Sequence, residues 1–333
     1  MQKISANYNK KVAVVGCKHT TKDLILGLRR EGYLIDHCLT LDPDKGKEHK
    51  VAGFYDLRPF LKESGIPFTT AKTYSLKDIE DKQRLLDLEL DMLLVAGWQR
   101  LIPDWWLEKL SVGAFGMHGS SKPLPHGRGR SPMNWSLIQN KNIFYTHLFQ
   151  YKAGVDDGPI VGVQTFDITP FDTCLTLHFK NMISMTKLAS ENLPDLLTGK
   201  ARLLPQNTEG ATYYPKREAE DGLIFWEDKT FDIYNHIRAV TDPFPGAFTY
   251  LNNEPSKKII IWEAIPFDTH LKWPKSSPGL ILEVFFDGKF VVKTGDSTLL
   301  VTGYEGHTFT DQDVGLILSH LNLPRKKWEN LPE

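Results

Sequence analysis

The sequence predicts an α/β fold: a mainly parallel, twisted sheet flanked by helices, followed by a small antiparallel β-barrel. Over about the first 200 residues, short apolar runs alternate with amphipathic stretches, which is typical of parallel strands joined by helices. After about residue 200 the short apolar runs are closely spaced and separated by Asp-Gly and Gly-Asp turns, which favours an OB-like antiparallel barrel. We therefore expect a catalytic domain at residues 1–203 and a barrel domain at 204–333.

The elements of the first domain are predicted from local patterns and from the residues that end them. Short apolar runs rich in β-branched residues and closed by glycine indicate buried strands, and polar caps before periodic apolar residues indicate helices. The predicted strands are 11–16, 33–39, 91–96, 112–118, 143–151 and 160–168. The predicted helices begin near Thr20 or Thr21 (ending near 30), at Ser75 (76–88), at Pro103, at 132–139 and at 172–197.

The second domain is expected to begin after a polar linker at 201–211. A helix is predicted at 231–240, and the strands at 247–251, 257–264, 279–286, 289–293 and 298–302. The first strand of the chain is followed by GCKHTT where a Rossmann dinucleotide site has GxGxxG. The Rossmann-like sheet is therefore not expected to bind NAD.

Composition excludes several classes of protein. The net charge is −1, so no basic excess is available to grip a nucleic-acid backbone. The three cysteines are odd in number and widely spaced, which indicates free thiols in a reducing compartment and gives no metal-ligand spacing. Neither a secretory signal nor an apolar run of about 20 residues is present, so we expect a cytoplasmic protein without a membrane or nucleic-acid partner.

Candidate chemistry is concentrated at the ends of two predicted strands. His118 ends one strand and is followed by the glycine- and proline-rich loop GSSKPLPHGRGR. Asp156 and Asp157 follow a neighbouring strand in the segment KAGVDDGPIV, just before Gly158. A lone histidine in a loop, or an Asp-Asp-Gly turn, is usually without catalytic meaning. Together, at one edge of the sheet, a histidine and a carboxylate can form an oriented imidazolium.

These motifs resemble those of the folate-dependent formyltransferases. HGSSKPLPHGRGRSPMNW followed by GVDDGPIV is similar to the loop and the carboxylate segment of that family. In the second domain, YYPKREAEDGLIFW and IRAVTDPFPGAFTY resemble segments of the formyltransferase domain that acts on UDP-4-amino-4-deoxy-L-arabinose. The resemblance extends from Lys11 to about Gly303 and is greatest to the sugar N-formyltransferases.

The resemblance implies formyl transfer from 10-formyltetrahydrofolate to an amine, without a metal. His118 aligns with the family histidine that stabilises the oxyanion and moves protons, and Asp156 with the aspartate that keeps this histidine protonated. The positions that align with folate contacts are Ala96, Gly97, Trp98, Arg130, Lys152, Ala153, Gly154, Val155 and Asp156. Lys18 and His19, after the first strand, are predicted to bind the phosphates of the acceptor.

One position departs from the family pattern. The family has an asparagine two residues before the histidine as a further oxyanion donor, and this chain has Gly116 there. Losing one such donor typically costs about 10²–10³ in rate. Three alternatives remain open: a backbone N–H or a water replaces the amide, Asn134 supplies it, or the protein binds both ligands and turns over poorly.

The acceptor is predicted to be a nucleotide-linked amino sugar, in lipopolysaccharide or O-antigen biosynthesis. The near-neutral charge disfavours charged tRNA, although a methionyl-tRNA formyltransferase remains an alternative. A folate- or sugar-binding protein with an impaired site is a further alternative, because of Gly116. The barrel is expected to serve either acceptor binding or a homodimer, and the sequence does not choose between them.

Overall fold

The predicted fold class is confirmed by the structure, a computed structural model that describes residues 2–51, 53–207, 209–329 and 331–332. The first half of the chain contains, in order, β1 (Gln2–Lys3), α1 (Ile4–Tyr8), β2 (Val12–Val15), α2 (His19–Arg30), β3 (Tyr33–Leu34), β4 (His37–Leu41), α3 (Pro43–Glu48), α4 (Arg58–Glu63), β5 (Phe68–Ala71), α5 (Ile79–Leu86), β6 (Met92–Val95), α6 (Asp104–Leu107), β7 (Gly113–Ser120), β8 (Arg128–Gly129), α7 (Pro132–Ile138), β9 (Ile143–Gln150), β10 (Ile160–Asp167) and α8 (Cys174–Leu197).

The second half continues with β11 (Tyr213–Tyr214), α9 (Thr230–Val240), β12 (Ala247–Leu251), β13 (Lys258–Pro266), β14 (Ile281–Val284), β15 (Phe290–Lys293), β16 (Thr298–Glu305) and β17 (Leu318–Ser319), with short 3-10 helices at Ala219–Gly222 and Asp311–Asp313.

Seven of the described strands form one sheet in the order β10-β9-β7-β6-β2-β4-β5. The five strands from β7 to β5 are parallel, whereas β9 runs antiparallel to β7. Alternate residues of β2 enter different cores: Val12 and Val14 pack with α2 and α8, whereas Ala13 and Val15 pack with α5 and α6. Because successive side chains of a strand point to opposite faces, both faces of the sheet are covered by helices.

Several element boundaries differ from the prediction, and two of the differences have a clear local cause. The predicted strand at 33–39 is divided into β3 and β4, because Asp36 turns between them and accepts the N–H of Val12 on its carboxylate at 2.9 Å. The helix expected to start at Ser75 begins at Ile79 instead. Leu76 adopts a left-handed φ of 56°, and the Asp78 side chain caps the helix by accepting two backbone N–H groups. Strand β5 and helices α1, α3 and α4 were not predicted.

The C-terminal strands form an antiparallel sheet in the order β14-β15-β16-β13-β12-β17. Its first and last strands meet, since the N–H of Leu318 donates to the Gly279 carbonyl at 2.8 Å and the N–H of Ile281 to the Leu316 carbonyl at 2.9 Å. This closure makes the sheet a small barrel, as the sequence predicted.

The chain folds into two compact units. Unit 1 comprises residues 1–128, 144–166 and 179–212, and unit 2 comprises 129–143, 167–178 and 213–333. The domain boundary between residues 203 and 204 stays a prediction. Within the part of the chain that the structure describes, no helix combines the length and the apolar character that crossing a bilayer requires.

Candidate functional site

The carboxyl ends of β2, β6 and β7 lie side by side in unit 1. Ala96 and Gly97 follow β6, Lys18 lies just beyond β2, and His118 is near the end of β7. A Cβ placed on Gly97 would lie 3.0 Å from the Cβ of Lys18, so these two strand ends touch. Open parallel sheets bind ligands outside this edge. The structure therefore brings Ala96, Gly97, Lys18 and His118 to one edge of the sheet.

His118 contacts the chain through both ring nitrogens. Nδ1 lies 3.3 Å from Oδ2 of Asp156, and Nε2 lies 2.7 Å from the carbonyl oxygen of Gly127. A carbonyl only accepts, so Nε2 carries a hydrogen. Nδ1 is therefore the ring nitrogen that faces the carboxylate of Asp156. His118 is buried, with 8% of its surface exposed.

His147 lies directly opposite His118 on the neighbouring strand β9, and its contacts are structural. Its Nε2 accepts the N–H of Leu124 at 3.2 Å, so its Nδ1–H donates to the His118 carbonyl at 3.3 Å. Burial lowers the pKa of His147 to about 4, although the bond to the His118 carbonyl opposes the shift. This neutral ring ties the loop after β7 to the neighbouring strand β9.

Asp156 is held by a clamp that the sequence analysis missed. Gln206 donates its amide to the carbonyls of Asp156 and Gly158, at 2.9 and 2.7 Å, and accepts from Nη2 of buried Arg128 at 2.7 Å. Asp156 itself has a φ of 52°, which aspartate tolerates better than most residues. Gly158 is obligatory, since a Cβ there would lie 1.6 Å from the Gln150 carbonyl oxygen. Nothing local to Gln206 indicates this contact.

Gly116 is packed beneath the ring of Tyr151, another residue that the sequence analysis did not single out. A Cβ on Gly116 would lie 2.0 Å from Cε1 and 2.6 Å from the hydroxyl oxygen of Tyr151. The space for a side chain at this position is therefore filled. A glycine in place of a larger family residue indicates a space that a bulky neighbour can occupy, but not which residue occupies it.

The segment predicted to bind the pterin contains a buried N–H group, that of Trp98, without a hydrogen-bond partner among the described residues. The Trp98 indole is 5% exposed and packs edge-on against Tyr74. Asp157, whose Oδ2 folds against Gly154, likewise has a buried Oδ1 without a partner among the described residues. One such donor and one such acceptor fit a flat ring with polar edges such as a pterin. The Ala96 carbonyl accepts the Thr21 hydroxyl at 2.6 Å.

The remaining predicted residues are more exposed. Lys152, Ala153 and Val155 are exposed on the loop between β9 and β10, and Gly154 is half-buried there. Lys18 is half-buried before α2, and the exposed His19 ring lies 4.1 Å from that of Tyr55. Their contact with phosphate stays a prediction.

Two residues considered for the site belong to unit 2. Arg130 is exposed, and its backbone N–H donates to the Tyr214 carbonyl at 2.9 Å. Asn134 is buried and donates its side-chain amide to the Ala239 carbonyl at 2.6 Å, so its amide already holds α7 to α9. Across the described ranges, no cluster of three or more His, Cys, Asp or Glu side chains has an arrangement that could hold a metal ion.

Similarity to known proteins agrees with this fold. Residues 10–187 match the sequence model described as formyl transferase, and residues 216–307 match that of the formyl transferase C-terminal domain. Among solved structures, HypX from Aquifex aeolicus in complex with tetrahydrofolic acid is 17% identical with a TM-score of 0.63, over 90% of this chain and 44% of HypX. The chain thus spans less than half the length of HypX.

Two shorter proteins match over their whole length. An N-formyltransferase from Helicobacter canadensis, solved with folinic acid and dTDP-3-aminofucose, is 16% identical over 89% of this chain, with a TM-score of 0.61. Methionyl-tRNA formyltransferase from Clostridium thermocellum is 16% identical over 88% of this chain, with a TM-score of 0.51. At these identities the structures establish the shared fold alone. The match at 10–187 covers more than half of the chain, which therefore belongs to the formyl transferase family.

Proposed function

We propose that this formyltransferase carries a formyl group from 10-formyltetrahydrofolate to the amine of a nucleotide-linked amino sugar. The observation that carries the proposal is the pair of buried His118 and half-buried Asp156 at the carboxyl edge of the sheet, 3.3 Å apart. Acyl transfer to an amine needs a proton carrier and donors for the charge that develops on the acyl oxygen.

The reaction exchanges one C–N bond for another. The amine nitrogen forms a bond to the formyl carbon, the bond from that carbon to N10 of the folate breaks, and one proton passes from the amine to N10. His118 is the proton carrier in this scheme, and Asp156 supplies the carboxylate that faces and orients its ring. For Nε2–H to reach the formyl oxygen as well, its bond to the Gly127 carbonyl must open or be shared.

The proposal that the chain binds a folate is supported by the buried polar atoms at the sheet edge. We retain Ala96–Trp98, Arg130 and residues 152–156 as the proposed folate contacts. Trp98 Nε1–H and Asp157 Oδ1, each without a partner among the described residues, suit the donors and acceptors of a pterin edge. Polar atoms of this kind favour a ligand with hydrogen-bonding edges over an apolar one.

The proposal of a sugar acceptor is supported by the net charge of the chain and by the fold that it shares with a sugar-binding N-formyltransferase structure. The net charge of −1 offers little attraction to tRNA. The fold is shared with an N-formyltransferase solved with folinic acid and dTDP-3-aminofucose. Lys18 and His19 are the proposed phosphate contacts, next to the Ala96–Trp98 segment. A cytoplasmic location and a homodimer stay predictions.

The test is turnover by the purified chain. We expect release of tetrahydrofolate from 10-formyltetrahydrofolate with one member of a panel of nucleotide amino sugars, and a product heavier by one formyl group. Robust formylation of charged initiator tRNA would overturn the sugar acceptor. Tight binding of folate and sugar without any formylation would instead indicate a binding protein.

A further inference from the structure

The ring of Tyr151 occupies the position that a side chain at residue 116 would take. Its hydroxyl oxygen lies 2.6 Å from the ideal Cβ position of Gly116. In an asparagine, covalent geometry puts the amide nitrogen about 2.4 Å from its own Cβ. The hydroxyl is therefore at nearly the same distance from the strand as the amide that the family carries there.

The Tyr151 ring is held in place before any ligand arrives. Its backbone N–H donates to the Ala114 carbonyl at 2.8 Å, and its ring stacks on Phe149 with centroids 5.4 Å apart. Donors that stabilise an oxyanion are effective because they need no reorganisation during the reaction. A half-buried phenol fixed over a glycine of β7 meets this requirement.

The proposed reaction also needs a further hydrogen-bond donor for the formyl oxygen. Both ring nitrogens of His118 are engaged within the chain, one with Asp156 and one with the Gly127 carbonyl. Asn134, an alternative donor, holds the Ala239 carbonyl. Burial raises the pKa of Tyr151, and the charge of Asp156 raises it further, so the hydroxyl keeps its proton at neutral pH.

We infer that Tyr151 is a catalytic residue whose hydroxyl donates a hydrogen bond to the formyl oxygen, in place of the asparagine replaced by Gly116. The inference rests on the proposed function. In the step described above, the electron pair of the formyl C=O bond moves onto oxygen as the amine attacks and returns as the bond to N10 breaks. Tyr151 stabilises that charge and keeps its proton throughout.

The first test compares Tyr151→Phe with the unchanged protein. Removing only the hydroxyl is expected to lower kcat by about 10²–10³, the usual cost of one oxyanion donor. KM for folate and sugar should change by no more than about twofold, because the bond is strongest in the transition state. The matched control is Tyr145→Phe in β9, whose ring lies 6.3 Å from that of His147. It should retain normal turnover.

A second test exchanges the two side chains. Gly116→Asn alone should lose activity, because its Cβ would overlap the Tyr151 ring. Tyr151→Ala alone should lose it because the donor is gone. The double variant Gly116→Asn with Tyr151→Ala restores both space and donor, and we expect at least a tenfold recovery in kcat over Tyr151→Ala, on the order of what one donor supplies.

The outcomes separate the inference from the function. If the unchanged protein transfers no formyl group to any acceptor, the proposed function fails and the role of Tyr151 fails with it. If the unchanged protein is active and Tyr151→Phe keeps kcat within about twofold, far from the loss of a donor, only the inference is overturned. A loss in Tyr151→Phe without recovery in the double variant is also contrary to an interchangeable donor.

Discussion

The carboxylate of Asp156 lies 3.3 Å from Nδ1 of His118, although the two residues come from different strand ends. Because Nε2 of His118 donates to the Gly127 carbonyl, Nδ1 is the ring nitrogen that faces Asp156. This relationship connects the fold to the proposed chemistry, since it gives a buried group that can hold and move a proton at the edge of the sheet.

Replacing His118 by alanine removes the proton carrier. We expect kcat to fall by about 10²–10⁴, the usual contribution of general acid-base catalysis, in a turnover assay with folate and the identified sugar. Circular dichroism and thermal unfolding should still report a folded protein. As a control, His19→Ala changes an exposed ring at the same sheet edge and should raise KM for the sugar more than it lowers kcat. A near-normal kcat in His118→Ala would remove this histidine from the mechanism.

Replacing Asp156 by asparagine removes only the charge. Asparagine tolerates the left-handed φ of 52° at this position, so the loop should keep its shape. The imidazolium of His118 then loses its counter-charge, and we expect kcat to fall by about 10²-fold or more at neutral pH. The control is Asp195→Asn, an exposed position in α8. Equal activities of the two variants in the same assay would contradict the role of Asp156.

Replacing Gln206 by leucine should affect both stability and activity. The change removes two hydrogen bonds to the carbonyls of the Asp156 loop and one from Arg128. At about 0.5–1.5 kcal/mol for each bond, we expect the free energy of unfolding to fall by about 2–4 kcal/mol. Asp156 would also be less firmly held, which should lower kcat.

Urea unfolding and turnover of the same preparations measure the two effects of Gln206→Leu. Gln83→Leu is the control, because Gln83 is exposed on α5 and its change should stay within about 0.5 kcal/mol. Unchanged stability in Gln206→Leu would mean that the loop is held by other contacts.

Acid should destabilise the protein through His147. Burial lowers its pKa to about 4 in the folded chain, against an ordinary value of 6.5. Between those values the unfolded chain binds a proton that the folded chain excludes, so stability is full above about pH 6.5 and falls as the pH is lowered toward 4. At about 1.4 kcal/mol per unit, the loss is on the order of 3 kcal/mol.

The contribution of His147 can be isolated by its replacement with glutamine, which can accept and donate as the neutral ring does. Urea unfolding at pH 4.5 and 7.5 should differ less for His147→Gln than for the unchanged protein. His270→Gln, at an exposed position, should leave the difference as it is. The same pH dependence in both variants would assign the acid sensitivity to other groups.

The sequence by itself determined the elements whose signals are local. Strands β2, β6 and β7, the helix α8 and the barrel strand β12 follow from apolar runs and from the glycines and caps that end them, because side-chain period and backbone preference act between near neighbours. His118 near the end of β7 and Asp156 in the loop after β9 were found from the same strand pattern together with the family resemblance. Strand β5 and the start of α5 were missed because the sequence pattern there is weak and tertiary packing sets the structure.

Only the tertiary structure decided which residues hold the site residues in position. Gln206 is 50 residues from Asp156 in sequence, and Tyr151, just after β9, covers Gly116 of β7, so no local pattern predicts either contact. Such contacts form when the chain folds, because the interior is densely packed and buried polar groups are hydrogen-bonded, whatever their distance in sequence. The sequence therefore named the histidine and the aspartate, whereas the packing of distant residues set which atoms they face.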